Sequence, residues 1–290
     1  MDFRKRFELA LNFLIGRGAT RHASTQEQEP VLVMDNNLLS GKNVLITGAG
    51  RNIGKSIAIE MAKQGANIFF TDIYEERCAQ LERELNGYQV ISRGFFSDIS
   101  KTEDIDSLYN SLVRDKVNID VLVNNVGIHK DPITIKELYL EVFHKIFDTN
   151  VFGPIYLTKL ISQMMINNNI NGSIIFITSI HQWTVGRLLS YDSSKAALGM
   201  IIKELAVELA PYGIRVNGIA PGFVEEDEQG KPFYNKYVLL YNSTINPCYI
   251  GRAAVYLSSD YFSKFTTGTV IKIDAGLSLY NHQVDQILLK

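Results

Sequence analysis

Cysteine is nearly absent from this 290-residue sequence: Cys78 and Cys248 stand far apart, with no CxxC spacing. That argues against both a disulfide framework and a zinc site; no metal is expected. It also fits a reducing compartment, so a cytoplasmic location is expected. Long apolar runs are missing too, and none reaches the roughly 18 residues needed to span a bilayer. An excess of one charge is missing: the formal net charge is −2, so no global basic field points to nucleic acid. Repeats and low-complexity tracts do not stand out. What is present, 46% hydrophobic and 21% charged residues, is ordinary for a globular chain that buries a large core without staples.

Near the N-terminus Phe3, Phe7, Leu11 and Leu14 recur at helical spacing, with Arg4, Lys5 and Arg6 between the first two. The spacing predicts a short amphipathic helix. It makes a poor signal peptide, because Glu8 and Asn12 interrupt the apolar part and no clean small-residue cleavage site follows. Two readings stay open: an arm packed on its own oligomer, which is favoured, or contact of residues 1–15 with a membrane surface. Thr20 to Pro30 is polar and reads as a linker. The expected organisation is an arm and linker over residues 1–37 and one domain over 38–290.

From Lys42 onward short apolar runs alternate with helical patterns. Strands are expected at Asn43 to Thr47, Asn67 to Asp72, Tyr88 to Gly94, Asp120 to Asn125, Ser173 to Thr178, Ile214 to Ile219 and Val270 to Ile273. Helices are expected up to about Gln64, over Tyr74 to Leu85 and Ile105 to Lys116, and in two stretches between Lys136 and Asn168. A further helix begins near Tyr191 and is stopped by Pro211 and Gly213. Repeated βα units with fully apolar strands predict an α/β fold: a doubly wound, seven-stranded parallel sheet with helices on both faces, Rossmann-like, joined by right-handed crossovers. Ligands are then expected beyond the carboxyl ends of the strands.

The first strand runs into TGAGRNIG, Thr47 to Gly54, and then into a helix. Glycine permits the tight path and the approach of a pyrophosphate, and the helix N-terminus supplies free amides for that anion. The spacing is not GxGxxG, and glycine at such turns often serves geometry alone. Asp72 ends the second strand, where a carboxylate reaches adenosine ribose hydroxyls and repels a 2′-phosphate, favouring NAD; its alternative is to cap the next turn. Arg51 pulls toward a 2′-phosphate and NADP. Asp98, after the third strand, could hold the adenine edge or simply start the next helix.

Tyr191 and Lys195, in YDSSK, lie four residues apart and so share one helix face. A tyrosine is a poor base near neutrality, and a neighbouring cation lowers its pKa. The pair suits proton transfer to or from a substrate hydroxyl.

Taken in order, these motifs resemble the short-chain dehydrogenase/reductase family over about Leu38 to Leu279. Thr47 to Gly54 is similar to that family's TGxxxGxG, with Asn52 where glycine is usual; asparagine tolerates a positive φ. NNVG at Asn124 to Gly127 resembles NNAG, and PG at Pro221 and Gly222 resembles the turn facing the nicotinamide. The resemblance implies NAD as cofactor, with NADP open. It would be held by Thr47, Gly48, Gly50, Arg51, Asn52, Ile53 and Gly54, by Asp72, by Asp98 and Ile99, and by Asn125, Val126 and Gly127. Tyr191, Lys195, Pro221 and Gly222 complete that set. It also implies four catalytic residues: Ser179 bonding the substrate oxygen, Tyr191 exchanging the proton, Lys195 lowering the tyrosine pKa and binding the ribose, and Asn150 holding a relay water.

Ser179 and Tyr191 are twelve residues apart where thirteen is commoner, a difference a loop can absorb. Ser179-Ile180-His181 resembles the SxH of some sugar-oxidising members. His181, Trp183 and Phe223 therefore join Ser179 and Tyr191 as candidate substrate contacts. The segment 223–247, which in the family carries the substrate lid, holds EEDE and then Phe233, Tyr234, Tyr237 and Tyr241. Those aromatics suit a ring or sugar face, or else pack as a surface helix on the core. The function implied is hydride transfer between nicotinamide and a secondary alcohol or ketone, in a homodimer or homotetramer. A nucleotide-binding sensor without turnover and an NADPH-dependent ketoacyl-type reductase are the alternatives.

Overall fold

The computed structural model describes residues 37–129, 135–227 and 230–280. The amphipathic arm and its linker lie outside them. Seven strands form one parallel sheet: β1 (Asn43–Ile46), β2 (Asn67–Asp72), β3 (Ser92–Phe96), β4 (Val121–Asn124), β5 (Ser173–Ile177), β6 (Arg215–Pro221) and β7 (Val270–Ile273). Their spatial order is β3-β2-β1-β4-β5-β6-β7, so the winding reverses between β1 and β4. The loops leaving those two strands diverge and open a crevice at their carboxyl ends.

Helices cover both faces: α1 (Asn52–Ala62), α2 (Glu75–Leu85), α3 (Thr102–Arg114), α4 (Leu140–Phe147), α5 (Gly153–Asn167), α6 (Leu189–Leu209), α7 (Pro247–Ser258) and the short α8 (Asp260–Ser263). Alternate strand residues feed two separate cores. Val44, Ile46 and Phe70 pack with Ile57 and Met61 of α1 and Ile250 of α7. Leu45, Leu122 and Ile174 point the other way, onto Leu157 and Ile161 of α5 and Leu198 and Ile202 of α6. The continuous apolar runs in the sequence reflect this two-sided burial.

Two strands differ from expectation. The third begins at Ser92 rather than Tyr88, because Asn86–Tyr88 forms a 3₁₀ turn and Gln89 follows in a left-handed conformation, φ 55°. The sixth runs on to Pro221, since Pro221 pairs with Ile273 of β7. The described residues of segment 223–246 are also not a helix. Its backbone is held by isolated bridges, Val224 with Ile245 and Tyr234 with Ser243, and Phe233, Tyr234, Tyr237 and Tyr241 stay exposed. Among the described residues no helix is long and apolar enough to cross a membrane, and no cluster of metal ligands is present.

One turn decides where the site forms. Between α4 and α5 the chain widens into a π-helical turn over Asp148–Phe152, with the Gly153 amide donating to the Asp148 carbonyl. Such widened turns re-aim one side chain, here Asn150, which is fully buried. Gly153 allows it: a Cβ there would overlap the Ile99 carbonyl in the loop after β3. The Gly153→Ala variant is expected to lose about 1–3 kcal/mol through overpacking. Urea denaturation followed by circular dichroism reads this out; an unchanged midpoint would mean that the loop gives way freely.

Candidate active site

At the crevice the first turn is built for close approach. Gly48 takes φ +64°, and a Cβ on it would lie 2.8 Å from Val126 Cγ2. Asn52, the departure from glycine, adopts φ 49°, so asparagine does supply the left-handed conformation needed there. A Cβ on Gly54 would overlap the Gly48 carbonyl, so glycine alone lets α1 start against the turn. The helix N-terminus has no side-chain cap at Arg51 and no acidic residue in its first turn. Uncapped amides at the positive end of a helix dipole fit a pyrophosphate, so the residues present suit a dinucleotide.

Several expected cofactor residues are placed to shape this cradle rather than to touch its contents with their side chains. Thr47 is fully buried, and its hydroxyl accepts from the amides of Asn125 (3.0 Å) and Val126 (3.2 Å). The Asn125 side-chain amide donates to the carbonyls of Thr47 (2.9 Å) and Gly48 (3.0 Å). These bonds knit the turn after β1 to the end of β4. The Ile99 side chain lies in the core with Ile105 and Leu157, and its carbonyl packs against Gly153. A Cβ on Gly222 would come within 2.9 Å of Asp274 Cα, which seats the Pro221–Gly222 turn on the end of β7.

The acidic residues are already engaged. Asp72 accepts from the Gly50 amide (3.0 Å) and the Tyr74 amide (3.1 Å), and Arg77 lies 3.6 Å away. It caps the turn after β2 while holding the glycine turn, with lone pairs remaining for a hydroxyl. Arg77, which the sequence alone did not single out, sits 4.2 Å over the Tyr74 ring beside that carboxylate. Asp98 accepts from both the amide and hydroxyl of Ser100, a helix-start arrangement. Arg51 is exposed at the rim.

The four remaining expected residues converge. Asn150 accepts from the Ile128 amide (2.8 Å) and donates to the Ile128 carbonyl (3.0 Å) and to Ser194 Oγ (3.0 Å). Ser194 in turn donates to the Tyr191 carbonyl (2.7 Å). Both Asn150 amide hydrogens are thus used within the protein. Lys195 is buried, and its Nζ donates to the Ile177 carbonyl at the end of β5 (2.9 Å) while lying 5.6 Å from the Tyr191 ring centre. Gly127 leaves room for it, since a Cβ there would sit 3.0 Å from Nζ. Ser179 accepts from the His181 amide (3.2 Å), and its hydroxyl lies near enough to the Tyr191 phenol to pull the phenol pKa down.

The electrostatics differ from the expected picture. Burial pushes the Tyr191 phenol above the ordinary tyrosine value, the Ser179 hydrogen bond pulls it down, and the Asp192 carboxylate adds to the rise. Lys195 does not offset this, because its ammonium is turned to the Ile177 carbonyl and burial holds its own pKa down to about 8.

His129 and Asp192 also belong to this cluster, although their residue types gave no signal in isolation. His129 follows two residues after Gly127 and meets Tyr191 edge-on at 5.8 Å; His181 meets it from another side at 6.0 Å. Trp183 is half-exposed with Lys272 Nζ 4.7 Å over its ring, and Phe223 is exposed just after β6.

The lysine titration has a consequence for stability. Between pH about 8 and 10.5 the unfolded chain keeps a proton that native Lys195 has lost, so this group makes stability rise with pH across that window. Cys78, whose thiol burial pushes up to about 11, works in the opposite sense. The difference in melting temperature between wild type and Lys195→Met isolates the lysine. The advantage of the variant is expected to shrink from pH 8 to 10.5; a difference that stays constant would contradict the depressed pKa.

Comparison with known proteins gives the site its lineage. Residues 42–234 match the family described as short chain dehydrogenase. Glucose 1-dehydrogenase 2 of Bacillus subtilis is 30% identical over 258 residues, covering 85% of this chain and 98% of that protein. Among solved structures, acetoin dehydrogenase YohF from Salmonella typhimurium superposes with a TM-score of 0.78 at 25% identity, over 83% of this chain and 98% of that one. A 7α-hydroxysteroid dehydrogenase complexed with NADH and 7-oxo glycochenodeoxycholic acid gives 0.76 at 29% identity, over 83% and 96%. A nucleotide cradle at the sheet's reversal point, a tyrosine and lysine on one helix face, and a family match across most of the domain lead to one conclusion: this chain belongs to the short-chain dehydrogenase/reductase family and is an NAD(P)-dependent oxidoreductase of CH–OH groups.

Proposed function

We propose that residues 38–290 act as an NAD-preferring dehydrogenase or ketone reductase for a polar, hydroxylated secondary alcohol, a sugar or sugar derivative. The observation that carries the reaction is the convergence of Ser179, Tyr191 and Lys195 at the carboxyl end of β5. The bound nicotinamide supplies the hydride acceptor or donor. Ser179 donates to the substrate oxygen and orients it. Tyr191 takes the alcohol proton in oxidation and returns it in reduction. Lys195, beside Gly127, would hold the nicotinamide ribose, and Asn150 fixes the Ile128 backbone along which a relay water would pass the proton to solvent. Asp72 discriminates against a 2′-phosphate, with Arg77 and Arg51 tempering that discrimination.

The sugar reading draws on His181 beside Tyr191, on Trp183, and on the exposed aromatics of segment 223–247, which we assign as the substrate lid. The glucose and acetoin dehydrogenases among its relatives are named for oxygen-rich substrates. The protein is further read as a cytoplasmic homodimer or homotetramer in which residues 1–37 serve as an arm of the assembly.

Tyr191→Phe is expected to bind NADH within about twofold of wild type while losing about 10²–10⁴-fold in kcat, the usual worth of a general acid–base group. Full turnover in that variant would remove Tyr191 from the reaction. Fluorescence titration is expected to show tighter binding of NADH than of NADPH, and Asp72→Ser to narrow the gap about tenfold. Tighter NADPH binding by wild type would mean that the arginines outweigh the aspartate.

A further inference from the structure

Asp192 lies inside YDSSK, between Tyr191 and Lys195, and the reaction as described gives it no task. Its Oδ2 accepts from the amides of Gly186 (2.8 Å) and Leu188 (3.4 Å), closing the loop before α6. Its Oδ1 is different. That atom is buried and lacks any hydrogen-bond partner, and so is Nδ1 of His181. The two orphans face each other at 3.4 Å. A carboxylate oxygen only accepts, so the nitrogen facing it must carry the hydrogen. A small rotation closes that gap to a full hydrogen bond, which buried polar groups seek.

The rest of the ring is also constrained. A Cβ on Gly186 would overlap His181 Cε1 and lie 2.5 Å from Nδ1, so the Nδ1–Cε1 edge is packed against this loop. The side chain is nevertheless 22% exposed. Its accessible edge is therefore the one bearing Nε2, and the ring stands edge-on to Tyr191 at 6.0 Å. In the Nδ1–H tautomer, Nε2 is a bare acceptor.

We propose that Asp192 is a positioning residue that fixes His181 in the Nδ1–H tautomer, and that His181 Nε2 accepts a hydrogen bond from a second substrate hydroxyl on the carbon next to the one that reacts. The inference rests on the reading of Tyr191 as the proton-exchanging group. It narrows the substrate to compounds with vicinal oxygens, such as diols, α-hydroxy ketones and sugars. A site built to bind a hydroxyl discriminates against the analogue lacking it, because its polar group is then left unpaired. His129, which follows the Ile128 backbone that Asn150 clamps, also meets Tyr191 edge-on and adds a second polar group beside it.

Two measurements on the full chain with bound NADH test this. Nitrogen-15 and carbon-13 NMR of the His181 ring is expected to show the Nδ1–H form at neutral pH in wild type. In Asp192→Asn the form should be Nε2–H, because the amide keeps an oxygen for the loop and turns its hydrogens toward Nδ1. An Nε2–H ring or an imidazolium in wild type overturns the proposal. The second measurement is kcat/KM for 2,3-butanediol against 2-butanol, and for D-glucose against 2-deoxy-D-glucose. Wild type is expected to prefer the member with the vicinal hydroxyl, and both Asp192→Asn and His181→Phe to cut that preference about tenfold, chiefly through KM. Equal losses on both members of each pair would make Asp192 a loop brace only and overturn it. No turnover of any alcohol, with the tautomer as expected, would overturn the oxidoreductase reading and the diol preference while the NMR result upholds the positioning of His181.

Discussion

The hydrogen bonds of Asn150 hold the site in register. From inside a π-helical turn its side chain grips both polar groups of Ile128 and the hydroxyl of Ser194, which bonds the Tyr191 carbonyl. One buried amide thus joins the backbone leaving β4, on the cofactor side, to the helix that carries Tyr191 and Lys195. Removing a partner from such a buried network strands the others without water to replace it. The position of Asn150 depends in turn on Gly153, where α5 meets the Ile99 carbonyl without room for a side chain. The chemistry at Tyr191 is therefore tied to the packing of a loop on the far side of the sheet's reversal point.

Much of this was legible in the residues. Short continuous apolar runs located the seven strands, and Tyr191 and Lys195 announced themselves by sharing a helix face. Asn52 carried the left-handed turn as its side-chain chemistry allows. What escaped was decided by tertiary placement. The 3₁₀ turn at Asn86–Tyr88 moved β3, although Tyr88 and Val90 look like strand residues. Thr47 and Ile99 fall within motif segments, yet burial confines their side chains to the scaffold. His129, Asp192 and Arg77 are ordinary polar residues in sequence, and only the fold sets His129 against Tyr191, Asp192 against His181 and Arg77 beside Asp72. Phe233, Tyr234, Tyr237 and Tyr241 are exposed on a segment that isolated bridges hold, where a surface helix was one of the two readings.

The electrostatics of the centre follow from its burial. Low dielectric raises the phenol of Tyr191 and lowers the ammonium of Lys195, so each group is pushed toward its neutral form. A site poised in this way holds its proton until a charge arrives nearby. A cationic nicotinamide ring brought against the Tyr191 face would favour phenolate at the moment an alcohol must be deprotonated. Asp192 opposes that charge, and its engagement with His181 would relieve the opposition.

The most direct test is an ultraviolet difference titration of tyrosinate, wild type minus Tyr191→Phe, with and without NAD. Without the nucleotide, Tyr191 is expected to titrate above the ordinary tyrosine value of about 10, and saturating NAD should bring it down. A Tyr191 already ionised near neutrality without nucleotide, or one that NAD leaves unmoved, would contradict the account of how this site handles its proton.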